Sequence, residues 1–178
     1  METERLTGRP ITAADIPFVM TVWNDERVTA IVLDTMSEQD IRERIDRWNR
    51  HRPARGCGTE LFVERSSGAP VGWGGLQHSS IGIGECLTIG YAVTPDRWGH
   101  GYATEIAMAS VDCAFEHLGA QEVRASILST NTRSRRVAEK AALALECEVV
   151  HGEHVEVIYR LDRETWARGR NETTSERP

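Results

Sequence analysis

Lysine is almost absent from this chain of 178 residues: Lys140 stands alone, and the other basic residues are all arginine. Positive charge therefore sits on rigid planar forks, with one mobile ammonium group among them. It is also in deficit. Twenty-seven acids against 21 bases leave a formal charge of −6. That balance argues against general nucleic-acid binding, which needs a basic surface, and against anionic membranes as partner. No apolar run approaches the length of a membrane span. The start, Met1-Glu2-Thr3-Glu4-Arg5, is acidic and lacks the apolar stretch of an export signal. Cysteine is scarce, and Cys57, Cys86, Cys113 and Cys147 include no two-residue spacing, so no zinc knuckle or redox motif is written there. The expectation is a cytoplasmic protein with reduced thiols and no metal. Repeats and long linkers are missing as well.

What is present is the composition of one globular domain: 40% hydrophobic and 27% charged residues. The domain is expected over residues 1–166. The polar, aperiodic stretch 167–178 reads as a disordered tail. Glu4 to Arg9 reads as a first strand. Thr12 and Asp15 form a capping box before Ile16, Val19, Met20 and Trp23, and Ser37 and Asp40 repeat that signal before Ile41, Ile45 and Trp48. Pro53, Gly56 and Gly58 end this helical region. Strands follow at Glu60 to Arg65 and Val71 to Gln77, joined by a turn at Ser66-Ser67-Gly68. Gly72, Gly74 and Gly75 mark the second of these as bulged or closely approached. Leu87, Ile89, Tyr91 and Val93 alternate as a third strand. A helix runs from Tyr102 to about Leu118 and ends at Gly119. A strand at Glu122 to Leu128, a helix capped by Asn131, and a hairpin around Gly152 complete the chain. The order β-αα-βββ-α-β-α-ββ predicts an α/β fold: one mixed sheet of about seven strands with helices on both faces.

The chemistry lies in Trp98-Gly99-His100-Gly101-Tyr102-Ala103-Thr104-Glu105, between a strong strand and a strong helix. Gly99 and Gly101 permit unusual backbone angles and close ligand approach. The helix then starts with unsatisfied amides and a positive dipole, a ready site for phosphate or pyrophosphate. A dinucleotide fingerprint fits poorly without a third glycine. A P-loop fits worse without Gly-Lys-Ser/Thr. Arg133, Arg135 and Arg136 open the helix after the next strand, at the same sheet edge, where at least one reads as a solvated face and others could meet another phosphate.

These two segments, with Thr88-Ile89-Gly90-Tyr91 before the first, resemble the signature of GCN5-related N-acetyltransferases. More narrowly, Asn131-Thr132-Arg133-Ser134 followed by Glu139-Lys140 resembles the ribosomal-protein-alanine acetyltransferase, or RimJ/RimL-like, branch. The ends, Glu2 to Leu6 and Tyr159 to Trp166, also look like that branch, so the resemblance spans almost the whole chain.

The resemblance implies an acetyl-CoA site and no metal. Gly99 to Thr104, with Trp98 and His100, would hold the pyrophosphate. The backbone of Tyr91, Ala92 and Val93 would pair with pantetheine amides. Asn131 would steer that arm, Ser134 would protonate the leaving thiolate, and Arg133 and Arg136 would serve the phosphates. A neutral amine would attack the thioester directly, with backbone N–H groups near Val93 as oxyanion donors. The acceptor would be a small-molecule amine or a protein N-terminus, and the resemblance allows a monomer or a homodimer through the last strands. For the base that deprotonates the amine, Glu153 and Glu85 rank above Glu156 and His78 on position alone. The pattern departs from the family at Ala142-Leu143, where Gly-Phe is usual, at Thr88, where an acid is common, and in a short final hairpin. Transfer of another acyl group such as succinyl, and a non-catalytic acyl-CoA sensor, are the alternatives.

Overall fold

The computed structural model describes residues 1–32, 35–50, 57–81 and 83–175, the last four of these by backbone alone. Pro53 and Gly56, expected to end the helical region, lie outside the described residues. The strands are β1 (Leu6–Pro10), β2 (Glu60–Glu64), β3 (Pro70–Ile81), β4 (Gly84–Val93), β5 (Glu122–Leu128), β6 (Ala144–His151) and β7 (His154–Asp162). The helices are α1 (Ile16–Trp23), α2 (Glu26–Val32), α3 (Glu38–Arg50), α4 (Tyr102–Asp112), α5 (Thr132–Lys140) and α6 (Arg163–Ser175). The strands form one sheet in the order β1-β2-β3-β4-β5-β7-β6. Only the central β4–β5 pair is parallel; the other neighbours are antiparallel. The mixed α/β sheet read from the sequence is thus the fold.

Both sheet faces are apolar and both are covered. On one, Leu76, Ile89, Val123, Ala125, Val157 and Tyr159 pack against Ala107, Val111 and Phe115 of the α4 region and Ala138 of α5. On the other, Leu61 and Trp73 pack under Val19 and Val22 of α1 and Ile41 and Ile45 of α3. The capping box is present: Thr12 N–H and hydroxyl both donate to Asp15 Oδ2, at 2.8 and 2.9 Å. Arg9 adds a bidentate pair to the same carboxylate. The β3 glycines are steric necessities. A Cβ on Gly74 would strike Ile106 of α4, and one on Gly75 would strike the carbonyl of Gly58.

Three expectations are corrected. Cys57 and Cys113 are both buried and joined in a disulfide, with Cα atoms 6.0 Å apart, while Cys86 and Cys147 are free. The pair is 56 residues apart, a separation that carries no spacing signal, so the premise of four reduced thiols fails. Second, α6 continues as helix to Ser175 through most of the expected tail. Trp166 anchors it, packing on Phe115 at 5.1 Å and donating to Asp112, and Arg170 lies over the Trp166 ring. Third, α2 is an additional helix; none of its described residues is buried, so it shows no apolar stripe to read. Among the described residues no helix is long and apolar enough to cross a membrane.

Candidate active site

The parallel join of β4 to β5 is held at one registered pair, Thr88 with Arg124. Beyond Thr88 the two strands part, and among the described residues β4 runs on through Tyr91, Ala92 and Val93 with no strand partner on its β5 side. Backbone groups of a central strand do not stay unpaired without a reason. A cavity of about 520 Å³ opens there.

Its floor is Tyr91, Ala92 and Val93; one wall is Trp98, Gly99, Gly101, Tyr102, Ala103 and Thr104; the opposite wall is Asn131, Arg133, Ser134 and Arg136. The structure therefore brings together thirteen of the residues singled out from sequence. Gly99 and Gly101 have φ of 81° and 84°, the left-handed region that glycine adopts without strain. Gly101 is the N-cap of α4 and offers no side chain to cap it, so the first amides of the helix stay open toward the cavity. Trp98 clamps the loop: its indole N–H donates to the Val93 carbonyl at 2.7 Å, and Arg133 lies over its ring at 4.6 Å. His100 does not line the cavity. Its ring Nδ1 turns back to the Trp98 carbonyl at 2.9 Å, and its own carbonyl accepts from Arg5. Glu105 fixes that Arg5, accepting from its backbone and guanidinium and from the Thr3 hydroxyl. Burial pushes the Glu105 carboxyl up, but the hydrogen bonds from Thr3 and Arg5 prevail and hold it below its ordinary range.

Asn131 and Ser134 form a reciprocal cap on α5. The Asn131 Oδ1 accepts from the Ser134 amide, and its Nδ2 donates to Ser134 Oγ, both at 3.0 Å. The Ser134 oxygen is thereby an acceptor, and its own hydroxyl hydrogen is left to donate. Tyr91 donates from its hydroxyl to the Ser134 carbonyl at 2.9 Å. Burial raises the Tyr91 pKa, which keeps the phenol protonated and the strand tied to α5. Arg135 serves the fold instead, donating to the Tyr159 hydroxyl and the Ser129 carbonyl.

Sequence reading missed Val28, Ile31 and Val32 of α2, which roof the cavity, and Arg97, Val137 and Lys140 on its rim. The lining holds four cations, Arg97, Arg133, Arg136 and Lys140, and no acid among the described residues. In a chain of charge −6 that concentration marks an anion site. The only lysine of the chain lies in it, a signal that was available in the sequence.

The two favoured base candidates are not brought to this cavity. Glu85 is exposed at the far end of the β3–β4 hairpin, opposite Ser80, and Glu153 is exposed on the tight turn between β6 and β7. Neither lines this cavity or the cleft beside it. Their sequence positions were compatible with the sheet edge, but hairpin length carries both tips beyond it. His78 is likewise exposed.

A family model described as an acetyltransferase (GNAT) domain matches residues 5–143. The chain is 30% identical over 124 residues to the uncharacterized protein YkkB of Bacillus subtilis strain 168, covering 68% of this chain and 71% of that one. It is 36% identical over 88 residues to the FsC-acetyl coenzyme A-N(2)-transacetylase of Aspergillus fumigatus, covering 44% of this chain and only 37% of that longer protein. The acetyltransferase structure from Agrobacterium tumefaciens str. C58 superposes with a TM-score of 0.79 at 24% identity, over 92% of this chain and 94% of that one.

Proposed function

The chain belongs to the GNAT family of acetyltransferases, and from that premise we propose that it moves the acetyl group of acetyl-CoA to a primary amine, on a small molecule or a protein N-terminus. The observation that carries the reading is the cavity where β4 leaves β5. An open strand edge, uncapped helix amides and four cations converge there, which suits a ligand with amides at one end and phosphates at the other. The Asn131-x-x-Ser134 cap and Glu139-Lys140 further support the RimJ/RimL-like branch. The Aspergillus relative is named for transacetylation at N(2) from acetyl coenzyme A.

In this reading acetyl-CoA supplies the activated acetyl thioester. The amides of Gly101 to Thr104 at the start of α4 bind the pyrophosphate, and Arg133 and Arg136 add charge. Tyr91 to Val93 hold the pantetheine arm as an added strand. A free N–H near Val93 stabilises the charge that grows on the carbonyl oxygen during attack. Ser134, oriented by Asn131, donates its hydroxyl proton to the departing sulfur and recovers one from the proton that the attacking nitrogen releases, so the proton count closes.

Thermal unfolding with acetyl-CoA, succinyl-CoA, free CoA, ATP and NAD tests it. A ligand at about 100 times its Kd stabilises by ~2.7 kcal/mol, a rise of roughly 5–11 °C for a domain of this size. The expected result is a shift with CoA compounds only, with acetyl-CoA turned over in the presence of amines. Equal shifts with ATP or NAD, or none with CoA, overturn the reading.

A further inference from the structure

A second cleft, of about 620 Å³, adjoins the first across β4: Thr88 to Gly90 line the one and Tyr91 to Val93 the other. It lies on the α3 side of the sheet, where the Trp48 indole donates to Gln77 at 3.0 Å. Its polar lining comes from five strands. Thr88 Oγ1 is bonded to Ser79 Oγ at 3.0 Å on β4 and β3, and Ser126 of β5 donates to Glu156 Oε2 of β7 at 2.6 Å. His151 of β6 stands 3.8 Å from that same oxygen.

Charge separates this cleft from its neighbour. Among the described residues, Glu156 is its one carboxylate, and neither lysine nor arginine lines it. The arginines further along these strands are already engaged: Arg124 holds Glu122 and Glu146, and Arg160 holds Glu122. Among the described residues, Glu156 thus faces the cleft with no arginine or lysine in the lining to compensate its charge. The phosphate-side cavity has the opposite composition, four cations and no acid among the described residues.

Position sets what such a carboxylate can do. Glu156 lies on β7, with β5 between it and the strand β4 that borders both cavities. That is two strand spacings, ~10 Å. A group so placed meets the far end of an acceptor, not the nitrogen that attacks at Tyr91 to Ser134.

We propose that this cleft seats the acceptor and that Glu156, oriented by Ser126, binds a second, non-reacting ammonium, so that the preferred acceptors are aliphatic diamines or polyamines. The inference rests on the transferase reading above and narrows its substrate class. Selection comes from a charge-assisted hydrogen bond that a monoamine of equal length cannot make.

The test compares 1,4-diaminobutane with 4-amino-1-butanol, which replaces one ammonium by a hydroxyl. The native chain is expected to favour the diamine by at least tenfold in kcat/KM. Glu156→Gln brings that ratio near one, chiefly by raising KM for the diamine. Ser126→Ala, a smaller change, reduces the ratio part of the way. Each variant's acetyl-CoA thermal shift is read alongside, and Glu156→Ala, which also removes the carboxylate, replaces Glu156→Gln if that protein does not fold. Equal turnover of both amines by the native chain overturns this proposal, as does a ratio unmoved in the Glu156 variants. Loss of the acetyl-CoA shift in the native chain would instead overturn the transferase reading itself.

Discussion

The two cavities that meet on β4 are built from different materials. The phosphate-side cavity is made of backbone: a strand edge without a neighbour, two glycines at positive φ and the open start of α4. Apart from the α2 roof and the rim, its parts come from two short runs of sequence, 91–104 and 131–136. The acceptor-side cleft is made of side chains on β3, β4, β5, β6 and β7, brought together only by strand register. The first is a general device for a ligand of fixed chemistry. The second can change with each substitution and leave the fold intact. One domain can therefore keep its donor and alter its acceptor.

That contrast can be broken first at the backbone. Gly101→Val puts a β-branched residue at φ 84° on the α4 N-cap, which costs ~2 kcal/mol of stability or more. It also crowds the phosphate site. The acetyl-CoA KM should rise by about a hundredfold, equivalent to ~2.7 kcal/mol, and the acetyl-CoA thermal shift should vanish. A normal KM would mean that the loop is not the phosphate site. Ser134→Ala tests chemistry without binding. Steady-state kcat should fall roughly a hundredfold, the low end for a lost proton donor, while the acetyl-CoA thermal shift persists. On the other side of β4, Gln77→Ala should raise acceptor KM about tenfold, ~1.4 kcal/mol, and leave acetyl-CoA KM alone. If both KM values move together, the two cavities are one site.

Acid sharpens the comparison further, because it loosens the start of α1, which packs on the same face of the sheet as α3. Arg9, followed by the Thr12 amide and hydroxyl, holds the Asp15 carboxyl at about 2, below its ordinary 3.8. A carboxyl depressed in the folded state gives full stabilisation above pH 4 and loses it as pH falls toward 2. Asp15 is 8% exposed but Arg9 is partly solvated, so the contribution is ~1–2 kcal/mol after screening. Asp15→Asn should lower the urea midpoint at pH 7 and flatten its fall between pH 4 and pH 2. The smallest effect is a gain. Ala142 sits at φ 64° just past the end of α5, the only residue other than glycine at positive φ among those described. Ala142→Gly should stabilise the protein by ~1 kcal/mol, read as a higher melting temperature with unchanged kinetics.

These differences in construction also decide what could be read from the sequence. The glycine loop, the Asn131 cap and the alternation through Val93 are local patterns, and each appears where the residues placed it. The departure at Ala142 was visible too, and its cost is the positive φ. Glu153 and Glu85 do not line either cavity, because what reaches a cleft is set by register across strands, which sequence does not display. Glu156 meets Ser126 across 30 residues, and Trp48 meets Gln77 across 29. The Cys57–Cys113 bond was hidden for the same reason. The α2 roof escaped notice because a short helix with no buried face has no period to detect.

One turn of the long helix has a consequence for insertions and deletions. After Asp112 the chain makes a wider π turn, Cys113–His117, in which the Leu118 amide reaches back five residues to the Cys113 carbonyl. Such a turn holds one residue more than an α-helix would. Arg163 takes the Phe115 carbonyl at 2.6 Å and lies over its ring, so the wider turn is filled from α6. The helix therefore has two phases, offset by about 100°. The first phase sets Tyr102 and Ile106 against β2 and β3 beside the glycine loop; the second sets Phe115 under Trp166. Loss of a single residue between 113 and 117 would restore a uniform helix and rotate one phase away from its partners. The spacing between Gly101 and Gly119 is thus a counted length, fixed to the residue by a site at one end and a docked helix at the other.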